Sequence, residues 1–329
     1  MNKMFKALVV KEDNGKFIRK VTERNIDDLP AGSVLISVKY SSLNYKDALS
    51  ATGNKGVTRK YSHTPGIDAA GIVIESSSNK FKVSDEVLVT GYDLGMNTSG
   101  GFAEYIRIPS DWVIKLPLGL SLKESMIYGT AGFTAGLSLY KLEQCSEKKI
   151  NGEVLVTGAT GGVGSLAVAI LAKSGYQVVA STGKKDKIEF LKKIGAKEII
   201  GREEIDDKSG KALLNRRWKA AVDTVGGNIL ATVIKQMDYR SSVASCGNIY
   251  SPEFQTTVFP FILRGVNLLG INSAETPMDL RLKIWQKLAN EWKPDCLNEI
   301  YSECSLEELS DKIDSILQGQ ITGRIVVKL

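Results

Sequence analysis

The sequence predicts an α/β protein in two parts, a β-rich, barrel-like part followed by a doubly wound parallel sheet. Three observations predict this fold class. Short apolar strands separated by turn residues occupy the chain to about residue 120, strands and helices alternate after it, and a glycine-rich turn, VLVTGATGGVG (154–164), lies within the alternation. We therefore expect one domain at 1–124, completed by 297–329, and a second at 125–296.

The β-rich part contains runs of apolar and β-branched residues with partial alternation. The runs are KALVV (6–10), SVLISVKYSSL (33–43), GIVIES (71–76), DEVLVTG (85–91) and AEYIRI (103–108). Such runs, bounded by Gly, Asn, Asp and Ser, are typical of antiparallel strands.

The second part begins with residues 121–142, whose pattern predicts two helical segments. Strand and helix patterns then alternate, and DKSGKALLN (207–215) is one of the predicted helices. Further on, 280–294 and 305–318 are amphipathic, and Ser305 and Glu308 have the spacing of a capping box. The last strand, GRIVVKL (323–329), could return to the first domain.

The glycine-rich turn follows an apolar strand (154–156) and precedes a helical run. Glycines are needed there because a tight turn must present bare backbone N–H groups to a diphosphate at the positive end of a helix. A second apolar strand, 177–181, follows about 20 residues later, as in dinucleotide-binding folds. The turn therefore predicts a dinucleotide cofactor.

Composition excludes several classes of protein. The 329 residues are 43% hydrophobic and 24% charged, which is an ordinary globular composition. The net charge is +6, but basic and acidic residues are interspersed along the chain, which disfavours nucleic acid as a partner. Four scattered cysteines form no disulfide or zinc pattern. The N-terminus does not have the pattern of a signal peptide and no apolar run approaches 18 residues, so we expect no membrane segment and a cytoplasmic location.

The end of the second strand of the alternating part discriminates between cofactors. NAD-binding folds usually place an acidic residue there for the ribose 2′-OH, whereas this chain has Ser181, Thr182, Gly183 and Lys184. Hydroxyls and cations suit a 2′-phosphate, so NADPH is favoured over NADH. The alternative is that Lys184 and Lys185 only decorate a helix N-terminus, where cations are disfavoured by the helix dipole. Arg202, just past the third strand, is a second phosphate candidate, with a surface ion pair to Glu203 or Glu204 as the alternative.

The sequence offers no ligand set for a catalytic zinc. Such a site would need Cys, His and carboxylate ligands together, and the chain has a single histidine, His63. The metal prediction is therefore none, and the reaction must rely on positioning and hydrogen bonds.

An unusual polar cluster, Asn44, Tyr45, Lys46 and Asp47, follows the strand 33–43, where it would point into an inter-domain cleft. Tyr45 could give a proton or a hydrogen bond to a carbonyl, and Asn44 could hold the nicotinamide or the substrate. The catalytic candidates are Tyr45, Asn44 and Asp47. The alternative is a helix start capped by Asn44, with Asp47 favourable to the helix dipole.

These residues allow a family resemblance to be stated. The segments LNYKDAL, HTPGIDAAGIV, GATGGVG, STGK and TTVFPFILRGVNLLGINS resemble the zinc-free medium-chain dehydrogenases/reductases, and within them the quinone-oxidoreductase-like acrylyl-CoA reductase (NADPH) group. The similarity runs from end to end and includes the closing GRIVVK. Metal-dependent relatives carry Gly-His-Glu where this chain has Gly66, Ile67 and Asp68.

The resemblance implies a GroES-like catalytic domain, a Rossmann domain and NADPH-dependent reduction of an activated carbon–carbon double bond. The cofactor contacts that it implies are Tyr45, Thr160, Gly161, Gly162, Val163, Thr182, Gly183, Lys184, Arg202, Asn248, Ile262 and Ser273. For Arg264, in the most distinctive segment, a cofactor role and a structural role both remain open.

The substrate expected from this resemblance is acrylyl-CoA, with hydride going to the β-carbon of the thioester. Lys55, Arg59 and Lys60 lie in a loop (53–62) at the expected cleft entrance and could bind the phosphates of a CoA ester, or could simply be solvated. A quinone or enone reductase and a non-catalytic NADPH-binding sensor are the alternatives. The family also implies a homodimer, through the edge strand around VNLLGINS.

Overall fold

The structure, a computed structural model, describes residues 3–146 and 150–329. The chain divides into two compact units. Unit 1 comprises Met1–Thr130, Ala274–Ala289 and Tyr301–Leu329, and unit 2 comprises Ala131–Ser273 and Asn290–Ile300. The boundaries expected from the sequence, 1–124 with 297–329 and 125–296, stay a prediction.

The strands and α-helices are numbered in the order in which they occur along the chain. The strands are β1 Met4–Asp13, β2 Lys16–Asn25, β3 Val34–Leu43, β4 Asp68–Ser76, β5 Glu86–Thr90, β6 Tyr105–Ile108, β7 Ile114–Lys115, β8 Glu153–Val156, β9 Gln177–Thr182, β10 Glu198–Gly201, β11 Trp218–Asp223, β12 Met237–Ser245, β13 Asn267–Gly270, β14 Tyr301–Ser305 and β15 Arg324–Lys328. The α-helices are α1 Tyr45–Ala51, α2 Leu122–Gln144, α3 Gly162–Lys173, α4 Ile188–Lys193, α5 Gly227–Gln236, α6 Phe259–Arg264, α7 Met278–Ala289 and α8 Leu309–Leu317.

Unit 1 is built on a mixed sheet in the order β14-β15-β3-β4-β5-β7, with β6 paired to β3 and a separate antiparallel hairpin of β1 and β2. Val34, Ile36, Val73 and Val87 are all buried in the core of this sheet. Burying one such side chain contributes about 1.5–3 kcal/mol. The final strand, β15, pairs with β3 in register, as the sequence suggested for GRIVVKL.

Unit 2 is a parallel sheet in the order β10-β9-β8-β11-β12-β13. This is the order of the doubly wound dinucleotide-binding fold, in which the chain reverses its direction of winding beside the first strand, here β8. Val154, Leu155 and Val156 of β8 are fully buried, as expected of a central parallel strand. The predicted fold class is confirmed.

Two local predictions are confirmed and one is wrong. The predicted break between helical segments at 121–142 is a non-helical residue, Gly129, inside α2, and Ser305 and Glu308 form the expected capping box. The segment 207–215, however, is not a helix. Its backbone is instead hydrogen-bonded to helix α5. The Asp207 N–H donates to the Thr232 hydroxyl, and the Leu214 N–H donates to the Lys235 carbonyl.

Over the described ranges, none of the helices is both long enough and apolar enough to span a membrane.

Candidate functional site

The glycine-rich turn of unit 2 leaves its backbone uncovered by side chains at the start of α3. Gly161 caps α3 and donates its N–H to the Gly158 carbonyl at 3.0 Å. A Cβ on Gly164 would overlap the same carbonyl oxygen, so the helix start packs tightly on the turn. A Cβ on Gly161 would have a single neighbour within 4 Å, at 3.3 Å, so a side chain there would occupy space that glycine leaves to a ligand. Since the first amides of a helix lack intrahelical acceptors, this turn fits a diphosphate.

Asp223, at the end of β11, braces the turn from the neighbouring strand. Thr157 donates its hydroxyl to Asp223 at 2.7 Å, and the hydroxyl of Thr224 donates to the Thr157 carbonyl at 2.9 Å. The second Asp223 oxygen accepts the Gly226 N–H at 2.9 Å. Burial raises the pKa of Asp223. The structure therefore gives Asp223 the turn-forming role that the sequence favoured over catalysis.

The end of β9 is a cluster of hydroxyl and cationic groups. The Thr182 hydroxyl lies 3.4 Å from that of Thr160 and accepts the Lys184 N–H at 3.0 Å. The guanidinium of Arg202, from the segment after β10, lies beside Gly183, where a Cβ would be 2.7–2.8 Å from its atoms. Burial lowers the pKa of Lys184. The structure thus brings together Thr160, Thr182, Gly183 and Arg202.

Arg202 is exposed, and within the described ranges it forms no ion pair. Neither expected alternative partner is paired with it. Glu204 accepts the Gly201 N–H at 3.0 Å, and the Glu203 carboxylate lies beside Gly201, where a Cβ would overlap it. The cation is therefore available to a ligand.

Five further cofactor candidates lie in unit 2, whereas Tyr45 lies in unit 1. Gly162 and Val163 form the first turn of α3. Asn248 lies in the turn after β12, whose Gly247 packs on the Thr224 carbonyl. Ile262 lies on α6 and is 68% exposed, and Ser273 follows β13.

Arg264 has a structural role. Its guanidinium donates to the carbonyls of Leu214 at 2.7 Å, Lys235 at 2.8 Å and Met237 at 3.1 Å. These bonds join the irregular segment after β10 to the end of α5. Of the two roles that the sequence allowed for Arg264, these contacts support the structural one.

In unit 1, Asn44 and Asp47 are buried at the start of α1. The Asp47 carboxylate accepts the N–H of Asn44 and the N–H of Ile67, each at 2.8 Å. Burial, and secondarily the charge of Asp68, raise the pKa of Asp47 to about 7. Both side chains are engaged with protein groups, whereas Tyr45 is 38% exposed, and its hydroxyl has no hydrogen-bond partner among the residues described.

Asp68, at the start of β4, is the centre of a buried polar network. Its carboxylate accepts the side-chain amide of Asn44 at 2.7 Å and the hydroxyls of Ser42 and Thr130, each at 2.6 Å. The Thr130 N–H also donates to it, at 2.9 Å. Gly129 makes this approach possible, because it has φ of +50° and a Cβ there would overlap Asp68 and Ser42.

Arg324 of β15 balances the charge of Asp68 at 3.8 Å. It is fully buried, and it also donates to the carbonyls of Ile127 at 3.1 Å and Leu43 at 3.0 Å and to the Ser42 hydroxyl at 2.8 Å. Sequence reasoning missed this network. The available signal was a charged residue beside an apolar run, Asp68 in IDAAGIVI and Arg324 in GRIVV, since buried charges are rarely left unpaired.

The three cations proposed for substrate binding have different surroundings. Lys55 forms an ion pair with Glu12 at 2.7 Å and lies over the ring of Tyr61, with its Nζ 4.8 Å from the ring centre. Arg59 and Lys60 are exposed, and neither forms an ion pair within the described ranges. Two of the three cations are therefore without an ion pair in that part of the chain, and Lys55 is held only by an exposed one.

His63 is buried, its Nε2 lies 3.0 Å from the Gly95 carbonyl oxygen, and burial lowers its pKa. Across residues 3–146 and 150–329, no group of three or more His, Cys, Asp and Glu side chains could hold a metal ion.

Two family models match the chain. The alcohol dehydrogenase GroES-like domain matches residues 30–118, and the zinc-binding dehydrogenase model matches residues 162–290.

Relatives cover the full length. The Bacillus subtilis (strain 168) protein YhfP, which is named as a quinone oxidoreductase, is 47% identical over 330 residues, and the match covers 100% of both chains. The acrylyl-CoA reductase AcuI of Ruegeria pomeroyi is 43% identical over 326 residues, covering 98% of this chain and 99% of the relative.

Solved structures agree. The yhdH oxidoreductase from Salmonella enterica in complex with NADP has a TM-score of 0.96 at 42% identity, covering 98% of this chain and 99% of that one. Bacillus subtilis yhfP with NAD bound has a TM-score of 0.97 at 47% identity, covering 99% and 100%. With this similarity over its whole length, the chain belongs to the medium-chain dehydrogenase/reductase family, in the group of quinone oxidoreductases and acrylyl-CoA reductases that lacks a zinc motif.

Proposed function

We propose that this oxidoreductase uses NADPH to reduce the carbon–carbon double bond of an α,β-unsaturated acyl-CoA, converting acrylyl-CoA to propionyl-CoA. The observation that carries the cofactor assignment is the cluster of Thr182, Lys184 and the exposed Arg202 at the end of β9. A 2′-phosphate needs cations and hydroxyl donors, and an acidic residue at the end of β9 would repel it. The Salmonella relative with NADP supports this choice.

The substrate assignment rests on the acrylyl-CoA reductase of Ruegeria pomeroyi, which is 43% identical over nearly the whole chain. The bound cofactor would supply a hydride to the β-carbon of the thioester. Negative charge then develops on the thioester carbonyl oxygen, and a hydrogen-bond donor at that atom lowers the barrier.

Tyr45 is the donor that we propose. Its hydroxyl is free to bond a ligand, whereas Asn44 and Asp47 hold the start of α1. The α-carbon must receive a proton to complete the reduction, and this proton comes from Tyr45 or from water.

We further propose that Arg59 and Lys60 bind the phosphates of the CoA ester. Both are exposed cations of one loop, and a cationic loop raises the local concentration of a phosphorylated ligand. Lys55, the third cation of this loop, forms an exposed ion pair with Glu12, and we expect a smaller contribution from it.

A quinone or enone reductase is the second candidate. The Bacillus relative at 47% identity favours it, and a Tyr45 hydroxyl would serve a quinone carbonyl equally well.

One experiment separates these functions. The purified protein is given NADPH with acrylyl-CoA, crotonyl-CoA or a benzoquinone, and the loss of NADPH is followed with product analysis. We expect the highest kcat/KM with acrylyl-CoA and formation of propionyl-CoA. Faster reduction of the quinone would support the second candidate, and NADPH binding without oxidation would support the sensor.

We also propose a homodimer that forms through β13. This edge strand, NLLG, is uncharged, and Leu268 on it is 37% exposed. Edge strands without charges pair readily with a second copy. Val258, Ile262 and Leu263 add exposed apolar area, at 63%, 68% and 55%. Light scattering should give a dimer mass for the unmodified chain and a monomer mass for Leu268→Lys. A monomeric unmodified chain would refute the dimer.

A further inference from the structure

The direction in which the Tyr45 side chain points is set by the residues on either side of it. It is the first residue of α1, and its ring is partly exposed with no hydrogen bond from its hydroxyl to any described residue. Helix α1 has seven residues, and helices this short are not stable alone. The position from which Tyr45 projects must therefore be set by tertiary contacts of the adjacent backbone.

Those contacts come from the residues on either side. Asn44, in an extended conformation (φ −119°, ψ 158°), donates its N–H to the Asp47 carboxylate. The same carboxylate accepts the Ile67 N–H, which ties α1 to the chain before β4. The backbone of Tyr45 thus lies between two residues that are fixed by buried hydrogen bonds.

Asp68 fixes Asn44 in turn. The 2.7 Å bond from the Asn44 side-chain amide ends on an Asp68 oxygen that also accepts from Ser42. Thr130 bonds the carboxylate through both its N–H and its hydroxyl, and Arg324 provides the opposite charge. Charge-assisted hydrogen bonds of this kind are short and strong, so Asp68 is a rigid anchor.

We propose that Asp68 is a positioning residue for the reaction, which by holding Asn44 sets the direction in which Tyr45 reaches the acceptor carbonyl. This inference rests on the proposed role of Tyr45. Asp68 has no exposed surface, so it acts through Asn44 and α1 rather than on the substrate.

A double-mutant cycle in kcat tests this role. Asp68→Asn is made in the unmodified enzyme and in Tyr45→Phe, and NADPH oxidation is measured with whichever acceptor the unmodified enzyme reduces. We expect Asp68→Asn to lower kcat on the order of 10- to 100-fold in the unmodified enzyme, because small misplacements of a reacting group cost that much. In the Tyr45→Phe background the further loss should be below about twofold.

Binding of NADPH provides a second readout. The glycine turn and the β9 cluster belong to unit 2, so the Kd for NADPH in Asp68→Asn should stay within about twofold of the unmodified value. A general unfolding defect would weaken cofactor binding as well.

Ser50→Ala is the matched control. Ser50 is on the same short helix and forms a buried bond to Thr58 at 2.6 Å, but at the opposite end from Tyr45. Its loss should lower Tm with little change in kcat. If Asp68→Asn does not fold, Asn44→Ser replaces it, because serine still caps a helix but is too short to reach Asp68.

The outcomes are distinct. Equal losses of kcat from Asp68→Asn with and without Tyr45→Phe, or full kcat in Asn44→Ser, would overturn the positioning role alone. An unchanged kcat in Tyr45→Phe would overturn both that role and the proposed chemistry of Tyr45. Reduction of a quinone but not of acrylyl-CoA would refute the proposed substrate, while the cycle run with the quinone still decides the role of Asp68.

Discussion

The guanidinium of Arg202 lies against Gly183, so closely that a Cβ on Gly183 would be 2.7 Å from the Arg202 Nε. The two residues follow different strands, β10 and β9, which are adjacent and parallel. A cation from one strand end therefore covers the bare backbone of the next. This is the cation that we propose for the 2′-phosphate of NADPH.

Removal of Arg202 should discriminate between cofactors. We expect Arg202→Ala to raise the KM for NADPH on the order of 10- to 100-fold, since a hydrogen bond to a charged group contributes about 1.5–3 kcal/mol. The KM for NADH should change less than about twofold, because NADH lacks the phosphate. Steady-state kinetics with both cofactors measure this.

Arg216→Ala is the control for that experiment, because Arg216 is a half-exposed arginine of the same unit that is paired with Asp238 at 2.9 Å. Equal changes for NADPH and NADH in Arg202→Ala would contradict the 2′-phosphate assignment.

The cations of the loop 53–62 should affect the KM of a CoA ester but not that of a quinone. Replacing Arg59 and Lys60 together by alanine should raise the KM for acrylyl-CoA about three- to tenfold, as expected for exposed charges that attract a phosphorylated ligand. The KM for a benzoquinone should not change. A double alanine variant of Lys80 and Lys82 removes the same charge elsewhere in unit 1 and should leave both values as they are. Unaltered acrylyl-CoA kinetics in the first variant would remove this subsite.

The buried Asp47 should make stability fall as pH rises. Its pKa is about 7 in the folded protein, raised first by burial and then by Asp68, against about 3.9 in the unfolded chain. Between about pH 4 and pH 7 the folded state therefore binds more protons than the unfolded state, and the free energy of unfolding decreases with pH. Urea unfolding at about pH 5 and about pH 8 should show a loss on the order of 2 kcal/mol from this group.

Asp223 has a pKa raised by burial and contributes in the same direction. The comparison with Asp47→Asn isolates Asp47, because the variant should be less stable overall but have a shallower pH slope. An identical slope in the two proteins would show that Asp47 does not titrate in this range.

Gly129→Ala should destabilise unit 1 through both strain and overlap. The backbone of Gly129, with φ +50° and ψ −155°, lies in a region essentially restricted to glycine and costs an L-residue about 1–3 kcal/mol. The added Cβ would also displace the Asp68 carboxylate, which adds about 1–3 kcal/mol. Gly319→Ala is the matched control, since Gly319 has φ of +70° but nothing within 4 Å of its Cβ position. Chemical denaturation of both variants measures the difference. Equal losses would mean that the network tolerates the overlap.

Features that depend on residues close together in the sequence could be predicted from the sequence pattern. The glycine turn, the apolar strands of unit 2 and the break at Gly129 all follow from local periodicity and turn chemistry. The predicted helix at 207–215 was wrong because long-range bonds to Thr232 and Lys235 outweighed its local propensity.

The buried network of Asp68 was beyond the same reasoning. Its members come from positions 42, 44, 68, 130 and 324, and no short-range pattern relates them. Likewise the sequence suggested Asn44 as a group that holds the ligand, whereas the structure shows its amide bonded to Asp68. Such pairings become visible when the sheet order of unit 1 is known.

The hydrogen bonds around Ile67 and Asp68 have a consequence for metal binding in this chain. Metal-dependent relatives carry His and Glu there, but in this chain the backbone of Ile67 serves Asp47, and both oxygens of Asp68 are occupied by Ser42, Asn44 and Thr130. A histidine introduced at position 67 would stand beside a carboxylate whose lone pairs are all used. A metal site here would therefore need replacements at Ser42, Asn44 or Thr130 as well as at positions 67 and 68.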